Sequence, residues 1–177
     1  MIELVIDSIR VGLRHYRRVV VLREKEAERF LTIWIGADVA DAIALKLQNV
    51  AVPRPQTHDL LFNSIGDLGG VVKSVIVNDL KDDTFFAKVI VEQNGRTLEI
   101  DSRPSDAIAL AVRAEVPIYA AEDVLERAGI VLDDEGQAIE GQDRERPPAP
   151  TAEELEKLAA FRDFVAGLDL DDLGKGE

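Results

Sequence analysis

Two short stretches concentrate the groups in this chain that could do chemistry. Residues 52–61 read VPRPQTHDLL, and residues 101–110 read DSRPSDAIAL. Each sets an arginine before a proline and follows it with a hydroxyl, a carboxylate and an apolar run. The first adds His58, one of only two histidines. An imidazole titrates near neutrality, so it can shuttle protons or ligate a metal. A guanidinium offers a planar fork that matches phosphate or carboxylate, so Arg54 and Arg103 could hold an anionic substrate. Beside Asp59, Asp101 and Asp106 they could equally form structural ion pairs.

Part of each stretch has an ordinary folding explanation. Pro104 suits the first position of a helix. Thr57 is a good N-cap, with Asp59 favourable in the turn that follows. Asp41 and Asp106 both fall at helix starts, where a carboxylate can meet free N–H groups and the positive end of the dipole. Arg54, His58, Asp101 and Arg103 are left without such an explanation.

The elements that must position these groups come from a repeat. DAIAL occurs at 41–45 and again at 106–110, and at the same offset Thr32 matches Thr97, Ile33 matches Leu98 and Ile35 matches Ile100. Groups present in one copy alone are the better functional candidates: Asp101 aligns with Gly36, Arg103 with Asp38 and Ser105 with Ala40. Apolar, β-branched runs predict strands at 2–9, 17–23 and 31–35 and a helix at 38–48. The second half predicts strands at 71–78, 84–92 and 97–101 and a helix at 104–115. Lys81-Asp82-Asp83 and Asn94-Gly95 mark its hairpins, the latter a type I′ signal. A connecting helix at 57–68 ends at Gly69-Gly70. Val116–Ala120 reads as a short strand and Glu122–Ala128 as a short helix.

The expected fold class is therefore α+β: an internally duplicated unit of three strands plus a helix, forming mixed sheets with packed helices, plus a C-terminal helix. The domain spans 1–132. An acidic, proline-rich linker follows at 133–150. An amphipathic helix and tail at 151–177 carries Leu155, Leu158, Phe161, Phe164 and Val165.

Composition narrows the function classes. With no cysteine there is no disulfide, thiolate nucleophile or zinc–thiolate site. No Walker loop, dinucleotide glycine fingerprint, HExxH or GxSxG is present. The net charge of −13 argues against a nucleic-acid footprint. However, residues 133–177 alone carry 14 acids against 5 bases, so the acidity belongs mostly to the tail. At the other end RVGLRHYRR (10–18) gathers four arginines, His15 and Tyr16 around an expected hairpin, which could track a phosphate backbone or simply protect a sheet edge. The start, MIELVIDSIRVGL, lacks a basic n-region, and no apolar run reaches membrane-spanning length. The expectation is a cytoplasmic protein with no membrane partner.

Four segments, LTIWIG (31–36), VPRPQTHDLL (52–61), NDLKDDTFFAKVIV (78–91) and EIDSRPSDAIALAVRAEVPIYAAEDVLERAG (99–129), together resemble the bifunctional nuclease domain. The resemblance runs from about Met1 to Gly129. It implies a mixed α/β domain that self-associates and degrades both DNA and RNA. The matching motif positions are Arg54, Thr57, His58, Asp59, Asp101, Arg103, Ser105 and Asp106. On that reading His58, Asp59 and Asp101 are catalytic, and Arg54, Arg103, Thr57 and Ser105 bind substrate. Asp101 and Asp106 would hold a divalent cation such as Mg²⁺ through oxygen ligands. The alternative is a non-enzymatic, oligomeric module that recognises a protein or a small anionic ligand through the same arginines.

Overall fold

Two antiparallel meanders supply six of the eight strands among the described residues. The computed structural model describes residues 1–11 and 18–131. The tip of the arginine-rich hairpin, the 133–150 linker and the 151–177 helix lie outside the described residues. Strand β1 (Ile2–Val11) pairs with β2 (Arg18–Glu24), and β2 with β3 (Phe30–Ile35), before helix α1 (Ala37–Leu47). Helix α2 (Thr57–Asp67) leads into a second meander, β4 (Gly70–Lys81), β5 (Thr84–Gln93) and β6 (Arg96–Ser102). Helix α3 (Pro104–Ala114), β7 (Ile118–Ala120), α4 (Glu122–Ala128) and β8 (Gly129–Ile130) complete the described chain.

Both hairpins of the second meander close through two-residue loops, since Lys81 faces Thr84 and Gln93 faces Arg96. Asp82 and Asp83 take φ of 46° and 57°, and Asn94 and Gly95 take 52° and 72°. Two successive positive φ values identify type I′ turns, whose twist matches that of the flanking strands.

The meanders join into one eight-stranded sheet of order β6-β5-β4-β7-β1-β2-β3-β8. The three residues of β7 make the join, running parallel to β4 and antiparallel to β1. All other pairings are antiparallel. Bulges interrupt β1 at Ile6/Ser8 and β4 at Val72/Ser74 and Val77/Asp79. A bulge bends its strand and increases local twist, and the sheet curls. β3 and the β4–β5 hairpin consequently meet at one cleft, although β7, β1 and β2 separate β3 from β4 in the sheet.

Alternation along the strands turns one face inward: Val20 and Leu22, Leu31 and Ile33, Val75 and Val77, and Val89 and Val91 are all buried. Helix α3 lies against this face. Its residues Ala107 to Ala111 are buried without interruption, as expected of a helix that is apolar all round. The alanines at 107, 109 and 111 keep it thin, so that α1, α2 and strands β4 and β5 all pack against it.

Two helix starts differ from expectation. Gln56, not Thr57, is the flanking residue of α2, with φ −78° and ψ 174°. The Asp59 carboxylate accepts the Gln56 N–H at 2.8 Å, and that bond makes Gln56 the cap of a helix that begins at Thr57. Asp41 is not in the first turn of α1, which begins at Ala37 and carries Asp38 there. Asp41 instead faces Arg18 Nη2 at 3.6 Å on an exposed surface. Among the described residues, no helix is long and apolar enough to cross a membrane.

Candidate active site

The start of α2 and the start of α3 pack against each other, so the two motifs of the sequence meet. His58 is buried at 8% exposure, and its Nε2 lies 3.1 Å from Asp106 Oδ1. Arg103, the residue flanking α3, donates from Nε to Asp106 Oδ2 at 2.6 Å. One carboxylate thus links the histidine of the first motif to the arginine of the second. Burial works to raise the Asp106 pKa, but the hydrogen bonds from Arg103 and His58 outweigh it and hold the carboxyl below its usual range. Asp106 in turn raises the pKa of Arg103 further, so the arginine is a fixed cation.

The ionised Asp106 can only accept, so the imidazole donates from Nε2. In the neutral ring this leaves Nδ1 with a free lone pair. Among the described residues, no hydrogen bond to Nδ1 is found. A carboxylate that fixes the tautomer of a histidine and leaves its second nitrogen open is the arrangement of a general base.

Asp59 faces the other way. Its Oδ1 accepts from Arg113 Nε at 2.5 Å and its Oδ2 from the Gln56 N–H at 2.8 Å. Burial acts to raise this carboxyl too, and the bonds from Gln56 and Arg113 override it, so its pKa is lowered. Arg113 was not singled out from the sequence. Its side chain is 3% exposed, and it also donates to the carbonyls of Ala109 and Ala42 and to Gln56 Oε1. It therefore ties α1, α2 and α3 together. A signal existed: Arg113 follows Asp106 by seven residues, two helical turns, so both occupy one face of an otherwise apolar helix. Helical side chains lean toward the N-terminus, and Arg113 leans back to reach the start of α2.

The other expected site residues lie nearby with fewer contacts. Arg54 is exposed in the segment before α2 and makes no hydrogen bond or ion pair among the described residues. Thr57 is exposed, whereas Ser105 is buried at 9% exposure. Asp101 is exposed on β6 opposite Lys88, and no hydrogen bond joins it to His58 or Asp106. Among the described residues, no three His, Asp or Glu side chains gather closely enough to share a metal ion. Arg103 and Ser105 also line a cleft of about 330 Å³ between β3, the β4–β5 hairpin and the start of α3.

Comparison with known proteins places this geometry in a family. An uncharacterized protein of Mycobacterium tuberculosis is 41% identical over 164 residues, which cover 93% of this chain and 94% of that protein. Bifunctional nuclease 2 of Oryza sativa subsp. japonica is 30% identical over 115 residues, 63% of this chain and 35% of its own length. Bifunctional nuclease 1 of Oryza sativa subsp. indica is 24% identical over 106 residues, 58% of this chain and 32% of its own. The plant proteins are thus about three times longer than the part that matches. The bifunctional nuclease domain itself matches residues 20–133, a stretch that holds every residue of the His58–Asp106 and Asp59–Arg113 pairs. This chain belongs to the bifunctional nuclease domain family.

Proposed function

We propose that the protein is a nuclease that hydrolyses phosphodiester bonds in DNA and RNA. The observation that carries this reading is the His58–Asp106 contact, which joins the two motifs beside a fixed cation. His58 would act as general base through Nδ1: a water gives up its proton to that nitrogen as its oxygen bonds to phosphorus. The P–O ester bond then breaks, and the leaving oxygen takes a proton from solvent. Asp106 orients the ring and stabilises the imidazolium that forms. Arg103 and Arg54 would hold the phosphate and offset the charge that develops on it, with Thr57 and Ser105 as further substrate contacts. Asp59 loses its catalytic part in this proposal, because folding contacts occupy both its oxygens.

Among the described residues, no three His, Asp or Glu side chains form a dedicated divalent-cation site. Both Asp106 oxygens are engaged by Arg103 and His58, so Asp106 is unsuited to the ligand role. Magnesium commonly binds through one or two carboxylates together with substrate phosphates, and Asp101 is the exposed carboxylate that could serve. The names of the plant relatives support nuclease activity at the level of the family.

The test is cleavage of single- and double-stranded DNA and RNA by highly purified protein, with Mg²⁺ or with EDTA. Removing a positioned general base costs about 10²- to 10⁴-fold, so His58→Ala should lose at least a hundredfold while keeping its unfolding transition. Unchanged cleavage in His58→Ala removes this assignment, and binding without cleavage by the wild type favours the non-enzymatic module.

The two runs of three strands and a helix descend, on our proposal, from one duplicated unit, supported by the DAIAL repeat and the shared element order. We further propose that the protein self-associates through β6, an end strand of the sheet.

A further inference from the structure

We propose that the cleft beside Arg103 seats an unpaired base of single-stranded nucleic acid, stacked on Trp34. The inference rests on the reading of nucleic acid as the substrate and names the form that the site takes. Trp34 is the chain's single tryptophan. On β3 its neighbours Ile33 and Ile35 turn inward at 4% and 8% exposure, so alternation sends residue 34 to the other face, where it is 61% exposed. Nothing in the sheet requires an indole at that position, since a threonine would satisfy the strand equally. The curl of the sheet brings residue 34 into the lining of the same cleft as Gly36, Asp83, Phe85, Arg103 and Ser105. Its volume, about 330 Å³, is at the small end of ligand sites, which run from about 300 to 1,000 Å³.

The polar groups divide the cleft by chemistry. Arg103 spends only Nε on Asp106, which leaves its two Nη groups for a phosphate, and its side chain is 76% exposed. Asp83 repels a phosphate inside the cleft but suits a base, whose N–H groups, the thymine N3–H among them, can donate to a carboxylate. Trp34 and Phe85 supply aromatic surface, which stacks on any base. A base buried in a duplex cannot reach such a surface, so the site selects unpaired strands. The phosphate that follows the stacked base would lie on Arg103, next to the His58–Asp106 pair.

Because Trp34 is the single tryptophan, the protein's own emission reports its occupancy. The wild type in EDTA is titrated with a short oligothymidylate, with an abasic strand of equal length, and with a duplex. The expected result is quenching by the oligothymidylate and little by the abasic strand or the duplex. A labelled oligothymidylate, followed by anisotropy, should bind Trp34→Ala between about fivefold and a hundredfold more weakly, with Trp34→Phe in between. Equal quenching by the abasic strand, or equal binding by Trp34→Ala with an unchanged melting transition, overturns the inference. Cleavage is assayed on the same samples with Mg²⁺. Cleavage without quenching overturns the Trp34 site and leaves the nuclease reading standing. Quenching without cleavage keeps the site and removes that reading, and the absence of both removes both.

Discussion

At the residue scale, two ion pairs that look alike in sequence do different work. Asp106 lends its carboxylate to a histidine of the other motif, whereas Asp59 gives both its oxygens to holding three helices in place. Arg113 is the more consequential partner for folding. Breaking a buried pair by removing one member leaves an uncompensated charge and costs about 3–5 kcal/mol. Arg113→Met should therefore lower the unfolding free energy by about 3 kcal/mol, the smaller end, because Asp59 keeps the Gln56 N–H and some exposure. Urea unfolding measures this, and a loss below about 0.5 kcal/mol, the range of ordinary surface changes, would contradict the role. The same groups determine acid stability. Asp59 and Asp106 both have lowered pKa values in the fold. Their contribution is complete above about pH 4, where the unfolded carboxyls are ionised, and fades as pH falls through the lower folded values. The urea midpoint should thus drop with acidification over that window, and Asp59→Asn should flatten the drop. His58, Arg54 and Arg103 were legible as candidates because turn chemistry left them unexplained. Arg113 was not, because an arginine on a helix reads as solvent-facing until the neighbouring helices are known to cover that face.

At the element scale, local chemistry was nearly sufficient. The apolar alternation, the Asn94-Gly95 turn and the Gly69-Gly70 stop placed three strands and a helix in each half, and the structure moves their ends by only a few residues. The misses have physical causes. β8 is two residues long and exists only because β3 offers it an edge. The cap of α2 is Gln56 and not Thr57 because a carboxylate three residues on reaches back to the Gln56 N–H, a detail that N-cap preference does not contain. The turns make a clean prediction. Gly95 has φ of +72° and open space around an added Cβ, so Gly95→Ala meets backbone strain alone and should cost about 1 kcal/mol, read from thermal unfolding. Gly70 is the opposite case. Its φ is unremarkable, but a Cβ there would sit 3.0 Å from side-chain atoms of Ile65 and Val91 and 3.1 Å from the Ile65 carbonyl. Gly70→Ala must push α2 away from β5, so it should reduce nuclease activity as well as stability, whereas Gly95→Ala should leave activity unchanged. Equal activity in both variants would show that the seating of α2 does not govern the site.

At the scale of the whole molecule, sequence reading stopped short, because strand order and curl depend on pairings between distant segments. Only the curl brings Trp34 to the cleft that holds Arg103, and only β7 welds the meanders into one sheet. The same strand order leaves β6 at an edge, and the proposed self-association is placed at this edge. Leu98 pairs with Val91 and Ile100 with Val89, so these residues extend the buried face of the sheet, yet they remain 41% and 44% exposed. β6 contains no proline or lysine, two residues that commonly blunt an edge as a pairing template, although Arg96, Glu99 and Asp101 are charged. Antiparallel pairing of two copies centred on Glu99 would set Leu98 against Ile100 twice. Lys88, 2.7 Å from Glu99, would temper the meeting of the two acids. Light scattering coupled to size exclusion should then find a dimer for the wild type and a monomer for the Leu98→Lys, Ile100→Lys double variant, with the melting transition of the remaining fold retained. A monomeric wild type would refute self-association altogether. A dimer that survives the lysines but is lost on removing residues 147–177 would transfer the contact from the sheet edge to that amphipathic segment.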